Sequence, residues 1–219
     1  VKLMPKSLSV IIITKDRFDD IQQCVNSLIK QTELPEILIV VDSSKKMGLE
    51  GILRKMLDNC DLSLEYIRSE PGITRQRNVG IKANAHELVL FLDDDAVLEQ
   101  NYITEIKKVF IADTGKTIAG ATGRIMNSNK KLPHISNCIR YLTFLDYNGK
   151  GEVRMSGANN RIMNVDHKKN LQVEWLSGCN MCYRSDILKK EMCDENFEVG
   201  GGEDVDLSYR IGRHGLLIY

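Results

Sequence analysis

Residues 86–99 read HELVLFLDDDAVLE: an apolar run from Leu88 to Leu92 passes directly into Asp93, Asp94 and Asp95. A continuous apolar run without polar alternation is what a β-strand buried on both faces needs, and such strands belong to parallel sheets covered by helices. The three carboxylates raise a second question. Adjacent like charges repel, and taking even one out of water is costly without a partner. A buried strand that ends this way predicts that a cation meets it there.

The neighbouring sequence extends the same pattern. LSVIIIT (8–14) is another continuous apolar run, and Phe18, Ile21, Val25 and Leu28 then fall at helical spacing, predicting a helix over about 17–30. PEILIVVD (35–42) predicts a second buried strand, GLEGILRKMLDNC a second helix, and LSLEYIR (62–68) a third strand. PGITRQRNVGIKANA (71–85) reads as a loop entering a helix, ELVLFLD (87–93) is the fourth strand, and a helix is expected at about 99–111. Strands alternating with helices imply right-handed crossovers in an α/β sheet. Ligands of such sheets bind beyond the carboxyl ends of the strands. Thr14-Lys15-Asp16-Arg17, Asp42-Ser43-Ser44 and Asp93-Asp94-Asp95 all sit at those ends, so three strands deliver carboxylates to one rim.

From 117 onward the pattern loosens. KTIAGATGRIM reads as a further strand, and 128–172, rich in Asn, Lys and Gly, has no readable periodicity. VEWLSGCNMCYR (173–184) predicts a strand or turn entering a helix at SDILKKEM, and GGGEDVDLSYRIGRHG (200–215) carries the signals of a helix start. The last residues, GLLIY, look like an interrupted strand and the first residue is Val, so the chain is expected to be the front part of a longer protein.

Composition narrows the class. The 219 residues are 42% hydrophobic and 27% charged, with 30 basic and 30 acidic side chains, so no global field favours nucleic acid or an anionic membrane. No apolar run approaches the roughly 20 residues that span a bilayer. The N-terminus lacks a small-residue cleavage site, so the expected address is the cytosol or the cytosolic face of a membrane. The six cysteines form no dense secreted framework, and the lone Cys179/Cys182 CxxC has no second pair at zinc-ribbon spacing. Reduced thiols are expected.

Three constellations carry chemistry. Asp93-Asp94-Asp95 suits a hard divalent cation, Mg²⁺ or Mn²⁺, which takes oxygen ligands from one or two carboxylates, waters and substrate phosphates. The bland alternative is a solvated acidic turn capping the next helix. In GITRQRNVGI (72–81), Arg75 and Arg77 stand at a helix start, where arginine is poorly placed unless it engages phosphate or a base edge. Glu203-Asp204 is either a simple helix cap or supplies a general base whose carboxyl is tuned by burial. Trp175, the single tryptophan, serves equally as core or as a platform for a sugar face. His214, near a helix end, is not expected to be a metal ligand.

These segments together resemble the family 2 glycosyltransferases of the GT-A fold. VIIITKDR, VVDSS, GITRQRNVGI, FLDDDAVLE, WLSGCNMCYR and DENFEVGGGEDVDLSYRIGRHG occur in the family's order and span about residues 8–215. The resemblance implies a Rossmann-like nucleotide-diphospho-sugar transferase fold with a mostly parallel central sheet flanked by helices. Residues 1–115 would be the nucleotide-binding half and 116–219 the acceptor-side half of one catalytic domain. Thr14, Asp16 and Asp42 would hold base and ribose, with Arg75 near base or diphosphate and Arg17 and Asn78 also among the nucleotide-sugar-binding residues. Asp93 and Asp95 match the acidic positions of the DxD signature, with Asp95 the direct metal ligand and Asp94 facing the nucleotide. Asp204 would deprotonate the acceptor hydroxyl, Glu203 and Trp175 would contact acceptor, and Gly178, Cys179 and Asn180 would lie near the transferred sugar.

The implied reaction is metal-dependent inverting transfer from a nucleotide-diphosphate sugar, a UDP-sugar being expected, to a saccharide or lipid-linked acceptor in polysaccharide or glycoconjugate synthesis. Nucleic acid is not an expected partner, and any peripheral membrane association is expected through sequence beyond these residues. One departure concerns the metal. Members of this fold often add a histidine ligand after the strand that follows the Glu-Asp helix, but the chain stops inside that strand at Tyr219. Either that ligand lies outside these residues or the metal is held more weakly. The rival readings are a haloacid-dehalogenase-like phosphatase with Asp93 as nucleophile, since LVLFLDDDAV matches its first motif, and a non-catalytic sugar-nucleotide-binding module. A sugar-nucleotide pyrophosphorylase is disfavoured because KDRFDD, not a glycine run, follows the first strand.

Overall fold

The computed structural model describes residues 6–125, 150–153, 159, 170–197 and 201–219. The expectations for 128–169, apart from residues 150–153 and 159, and for Gly200 lie outside the described residues. The first half follows the expected alternation: β1 (Leu8–Thr14), α1 (Phe18–Leu28), β2 (Ile37–Asp42), α2 (Leu49–Leu57), β3 (Ser63–Arg68), α3 (Ile73–Ala83), β4 (Leu88–Asp93) and α4 (Tyr102–Ala112). Then come β5 (Ile118–Thr122), β6 (Gln172–Val173), β7 (Met181–Arg184), α5 (Ser185–Glu191), α6 (Glu203–Ile211) and β8 (Leu216–Ile218).

All eight strands form one sheet in the order β3-β2-β1-β4-β7-β5-β8-β6. The β1–β4 half is wholly parallel, as continuous apolar strands require. Beyond it, β7 lies antiparallel between β4 and β5, so chain from the second half enters the centre of the sheet. GLLIY does form a strand, β8, parallel to β5.

Alternate residues of the strands fill two cores. Val10, Ile12, Leu38, Val40, Leu90 and Leu92 meet Val25, Leu28, Leu53 and Phe110 of α1, α2 and α4 on one face. Ile11, Ile39, Val41, Val89 and Phe91 meet Ile81, Leu188, Leu207 and Ile211 of α3, α5 and α6 on the other. Each apolar run is therefore buried on both sides, at about 25 cal/mol per Å² of apolar surface removed from water.

Register then decides where the polar strand ends fall. Thr14 pairs with Asp42, Ile13 with Asp93, and Asp42 with Arg68. The carboxyl ends of β1, β2, β3 and β4 thus lie level on one rim.

Candidate active site

The rim is built outward from Thr14, whose hydroxyl donates to Asp94 Oδ2 at 2.8 Å. Arg17, opening α1, reaches Asp94 at 2.6 Å, Asp95 at 2.8 Å and Asp20 at 2.9 Å. Asp94 is buried, and burial pushes its carboxyl above the ordinary carboxylate range while Thr14 and Arg17 pull it back. Asp93 is raised as well, by burial first and by the charges of Asp95 and Asp94, with Arg77 opposing. Asp95 stays exposed. The middle carboxylate is thus tied into the protein and the outer two flank it.

Asp42 is fully buried and multiply bonded. It accepts from Tyr66, from Arg68 at 2.5 Å and from the Ser44 amide at 2.7 Å. Burial alone would raise its carboxyl, but these hydrogen bonds and the Arg68 charge hold it below the usual range. Asp42 therefore shapes the loop after β2, and the loop is what the rim presents. Asp16 completes that loop: its amide donates to Ser44 Oγ at 2.7 Å and its carboxylate accepts from the Lys45 amide at 2.9 Å. Its φ of 57° is left-handed, a conformation non-glycine residues adopt at a cost of about 1–2 kcal/mol and keep only where surroundings enforce it.

A cleft of about 310 Å³ opens beside the rim, lined by Ile13, Ile73, Arg77, Asp93, Ser177, Gly178, Cys179, Glu203 and Asp204. The acidic pair reaches it because α6 starts there, after Gly202, whose φ of 90° suits glycine. Asp204 Oδ2 accepts from the Gly178 amide at 2.9 Å and Oδ1 from the Val205 amide at 2.9 Å. Burial nevertheless raises its carboxyl above the ordinary range, with the Gly178 bond opposing and the Glu203 charge adding to the rise. Ser208, one turn along α6, accepts from the Leu176 amide at 3.0 Å and meets the Tyr183 hydroxyl at 2.7 Å, fixing the segment before Gly178 to the helix. Asp204 is thus a half-buried carboxyl, oriented by two amides and facing a cleft.

The structure distributes the predicted residues unevenly. Asp93, Gly178, Cys179, Glu203 and Asp204 line the cleft, and Thr14, Asp16, Arg17, Asp94 and Asp95 form the adjoining rim. Asn180 does not line the cleft: it is buried, with Thr122 donating to it at 2.7 Å and its own amide donating to Gly123 at 3.0 Å. Arg75 and Asn78 lie on another side of α3. Asn78 exchanges hydrogen bonds with the Cys193 backbone and donates to Glu195, while Arg75 stands 3.7 Å from Glu195. Trp175 is half-buried, two residues before Ser177. His214 pairs with Glu191 at 2.5 Å, outside the cleft. Cys179 and Cys182 are free thiols, Cys182 buried within β7.

The arginine that does enter the cleft is Arg77, 3.2 Å from Glu203 with its side chain 5% exposed. Spacing held the signal. Ile73, Arg77 and Ile81 are four residues apart and share one helix face, from which Arg75 is turned away.

For a divalent cation, the donor set is oxygen-only and carboxylate-rich. Among the described residues no three metal-ligating side chains converge. Asp93 and Asp95 offer the carboxylate oxygens that a hard cation such as Mg²⁺ takes alongside waters and phosphate oxygens. Among the described residues no helix is long and apolar enough to cross a membrane.

Comparison with known proteins identifies the fold and the family. Hyaluronan synthase of Pasteurella multocida is 24% identical over 225 residues, 95% of this chain and 23% of that protein. The chain spans about a quarter of the length of the curated relatives it matches first. Staphylococcus aureus TarS (residues 1–349) superposes with a TM-score of 0.62 at 22% identity, over 97% of this chain and 57% of that one. The mannosyltransferase PcManGT of Pyrobaculum calidifontis, solved with GDP-Man and Mn²⁺, gives 0.67 at 15% identity, covering 99% and 56%. At these identities the structural likeness shows the fold alone, and that fold is GT-A. The profile described as "Glycosyl transferase family 2" matches residues 9–190. With the match covering most of its length, the chain belongs to glycosyl transferase family 2.

Proposed function

We propose that this family 2 glycosyltransferase moves a sugar from a nucleotide-diphosphate donor to an acceptor hydroxyl by a metal-dependent, inverting single displacement, in polysaccharide or glycoconjugate synthesis. The observation that carries the reading is Asp204: a carboxyl raised by burial, held by the Gly178 and Val205 amides, lining one cleft with Asp93. In this reading the β1–β2 rim of Thr14, Arg17 and the Asp16–Asp42 loop receives the nucleotide. Residues 1–115 form the donor half and 116–219 the acceptor half. Asp93 and Asp95 hold Mn²⁺ or Mg²⁺, which when bound offsets the charge that develops on the departing diphosphate.

Asp204 takes the proton of the acceptor hydroxyl as its oxygen attacks the anomeric carbon from the face opposite the diphosphate. One displacement needs one base and no covalent nucleophile, so configuration inverts. A uridine donor is supported by TarS, solved with UDP and with UDP-GlcNAc, and a guanosine donor is what PcManGT was solved with. No observation favours the phosphatase reading, in which Asp93 would be a nucleophile.

The test is release of nucleoside diphosphate by the full-length protein from a panel of UDP- and GDP-sugars, with Mn²⁺ or Mg²⁺ and a saccharide acceptor. Turnover that needs both metal and acceptor supports the reading. No turnover of any nucleotide sugar, or p-nitrophenyl phosphate hydrolysis abolished by Asp93→Asn, sinks it.

A further inference from the structure

Arg77 is the one cation among the described residues that line the cleft, and three acids, Asp93, Glu203 and Asp204, line it too. Its contacts close a ring. Nη1 donates to Glu203 Oε1 at 3.2 Å, and Nη2 lies 3.5 Å from the Gly178 carbonyl oxygen. The Gly178 amide in turn donates to Asp204 Oδ2 at 2.9 Å, and Asp204 is covalently next to Glu203. Phe91, from β4, faces the guanidinium at 5.9 Å. A Cβ at Gly178 would meet Arg77 Nη2 at 2.9 Å and Asp204 Oδ2 at 3.4 Å, so the guanidinium would have to shift to admit it. Glu203 is held at its other oxygen by the Gly201 amide at 2.7 Å. A planar guanidinium points two N–H groups at two fixed acceptors in a preset fork, whereas an ammonium is a compact charge on a flexible stem with no such fixed geometry.

We propose that Arg77 is a positioning residue of the transfer reaction: it locks the start of α6 to the 177–179 turn and so aims the Asp204 carboxylate into the cleft. This role rests on the transferase reading above. It acts through Glu203 and Gly178 and not by holding the donor.

Arg77→Lys, Glu203→Gln and the double variant separate these possibilities in the full-length protein. The readouts are kcat and donor KM for transfer, and the Kd of UDP and of GDP measured calorimetrically with Mn²⁺. Misplacing a reacting group by about 1 Å can cost about 100-fold. Arg77→Lys is therefore expected to lower kcat by about 100-fold, leave nucleotide Kd within about threefold, and add less than about threefold to the loss in Glu203→Gln, because residues acting as one unit are non-additive.

A nucleotide Kd weakened tenfold or more with kcat preserved would assign Arg77 to the donor and overturn the proposal. Losses that multiply in the double variant, or an unchanged kcat in Arg77→Lys, overturn it too. If Arg77→Lys does not fold, Gly178→Ala displaces the guanidinium without removing it and must show the same fall in kcat at constant nucleotide Kd. A wild-type protein that turns over no nucleotide sugar removes the parent reading and this role with it. An active wild type with an indifferent Arg77→Lys removes only this role.

Discussion

Two acidic clusters flank the cleft, and each is answered by one arginine. At the β4 rim, Arg17, with its side chain 45% exposed, bridges Asp94, 6% exposed, and Asp95, 54% exposed. At the start of α6, Arg77 meets Glu203 with the two side chains 5% and 10% exposed. The same pair chemistry has opposite consequences in the two places. Exposed ion pairs contribute about 0–1 kcal/mol because water and salt already screen the charges. A buried pair adds little beyond a well-packed apolar one, but removing one partner strands a charge out of water. The outer Arg17–Asp95 pair is therefore loosely held, whereas the α6 pair is committed to one geometry.

The widest split between the clusters is expected in Asp204→Asn. Losing a general base costs about 10²–10⁴-fold in rate, and transfer kinetics should show that loss with UDP affinity kept. Normal transfer rates in this variant would remove Asp204 from the mechanism. Its stability should move little. A carboxyl whose folded pKa is raised binds its proton more tightly folded than unfolded, so its favourable contribution is present below the unfolded pKa and lost as pH rises through the folded value. Asn is uncharged like the protonated form but leaves one of the Gly178 and Val205 amides without its acceptor, so chemical denaturation at neutral pH should find Asp204→Asn within about 1 kcal/mol of wild type.

Glu203→Leu should follow in size, since it leaves Arg77 buried without its carboxylate. About 3–5 kcal/mol of destabilisation is expected, read from urea unfolding. A loss under about 1 kcal/mol would mean water reaches the Arg77 guanidinium, and the contrast with the rim would collapse.

The pH profile sharpens the same point. Asp204 must be unprotonated to act, and burial raises it, so kcat should decline on acidification at a pH above the roughly 4 of an exposed carboxylate. A profile flat down to pH 4 contradicts this.

Asp95→Asn, which breaks only the exposed half of the Arg17 bridge, is expected to cost below about 1 kcal/mol, and the loss should vanish in high salt. A salt-independent loss would make the rim as rigid as the α6 pair. The smallest effect belongs to Arg75→Ala, within about 0.5 kcal/mol in stability, with nucleotide affinity unchanged because the side chain faces Glu195. A tenfold weaker UDP Kd would return Arg75 to the donor site.

Much of this molecule was legible along the chain. LSVIIIT, PEILIVVD and ELVLFLD read as strands buried on both faces, and they are, because burial on two faces leaves a continuous apolar run that no neighbour in space is needed to interpret. The carboxylates at their ends read as a rim for the same local reason: parallel strands between helices all point their carboxyl ends one way. Tertiary structure alone decided what depends on distant partners. β7 was visible as an apolar segment, but its antiparallel seat between β4 and β5 pairs residues about 60 to 100 positions apart, which local periodicity does not encode.

The same holds within the site. Asp42 was readable as a rim acid, yet its full burial depends on Tyr66 and Arg68 one strand away. Of the two arginines in GITRQRNVGI, the choice of Arg77 was latent in the helical spacing from Ile73 to Ile81. It became definite only where α3, α6 and Gly178 meet, because a charge is accepted out of water only when its partners are already in place.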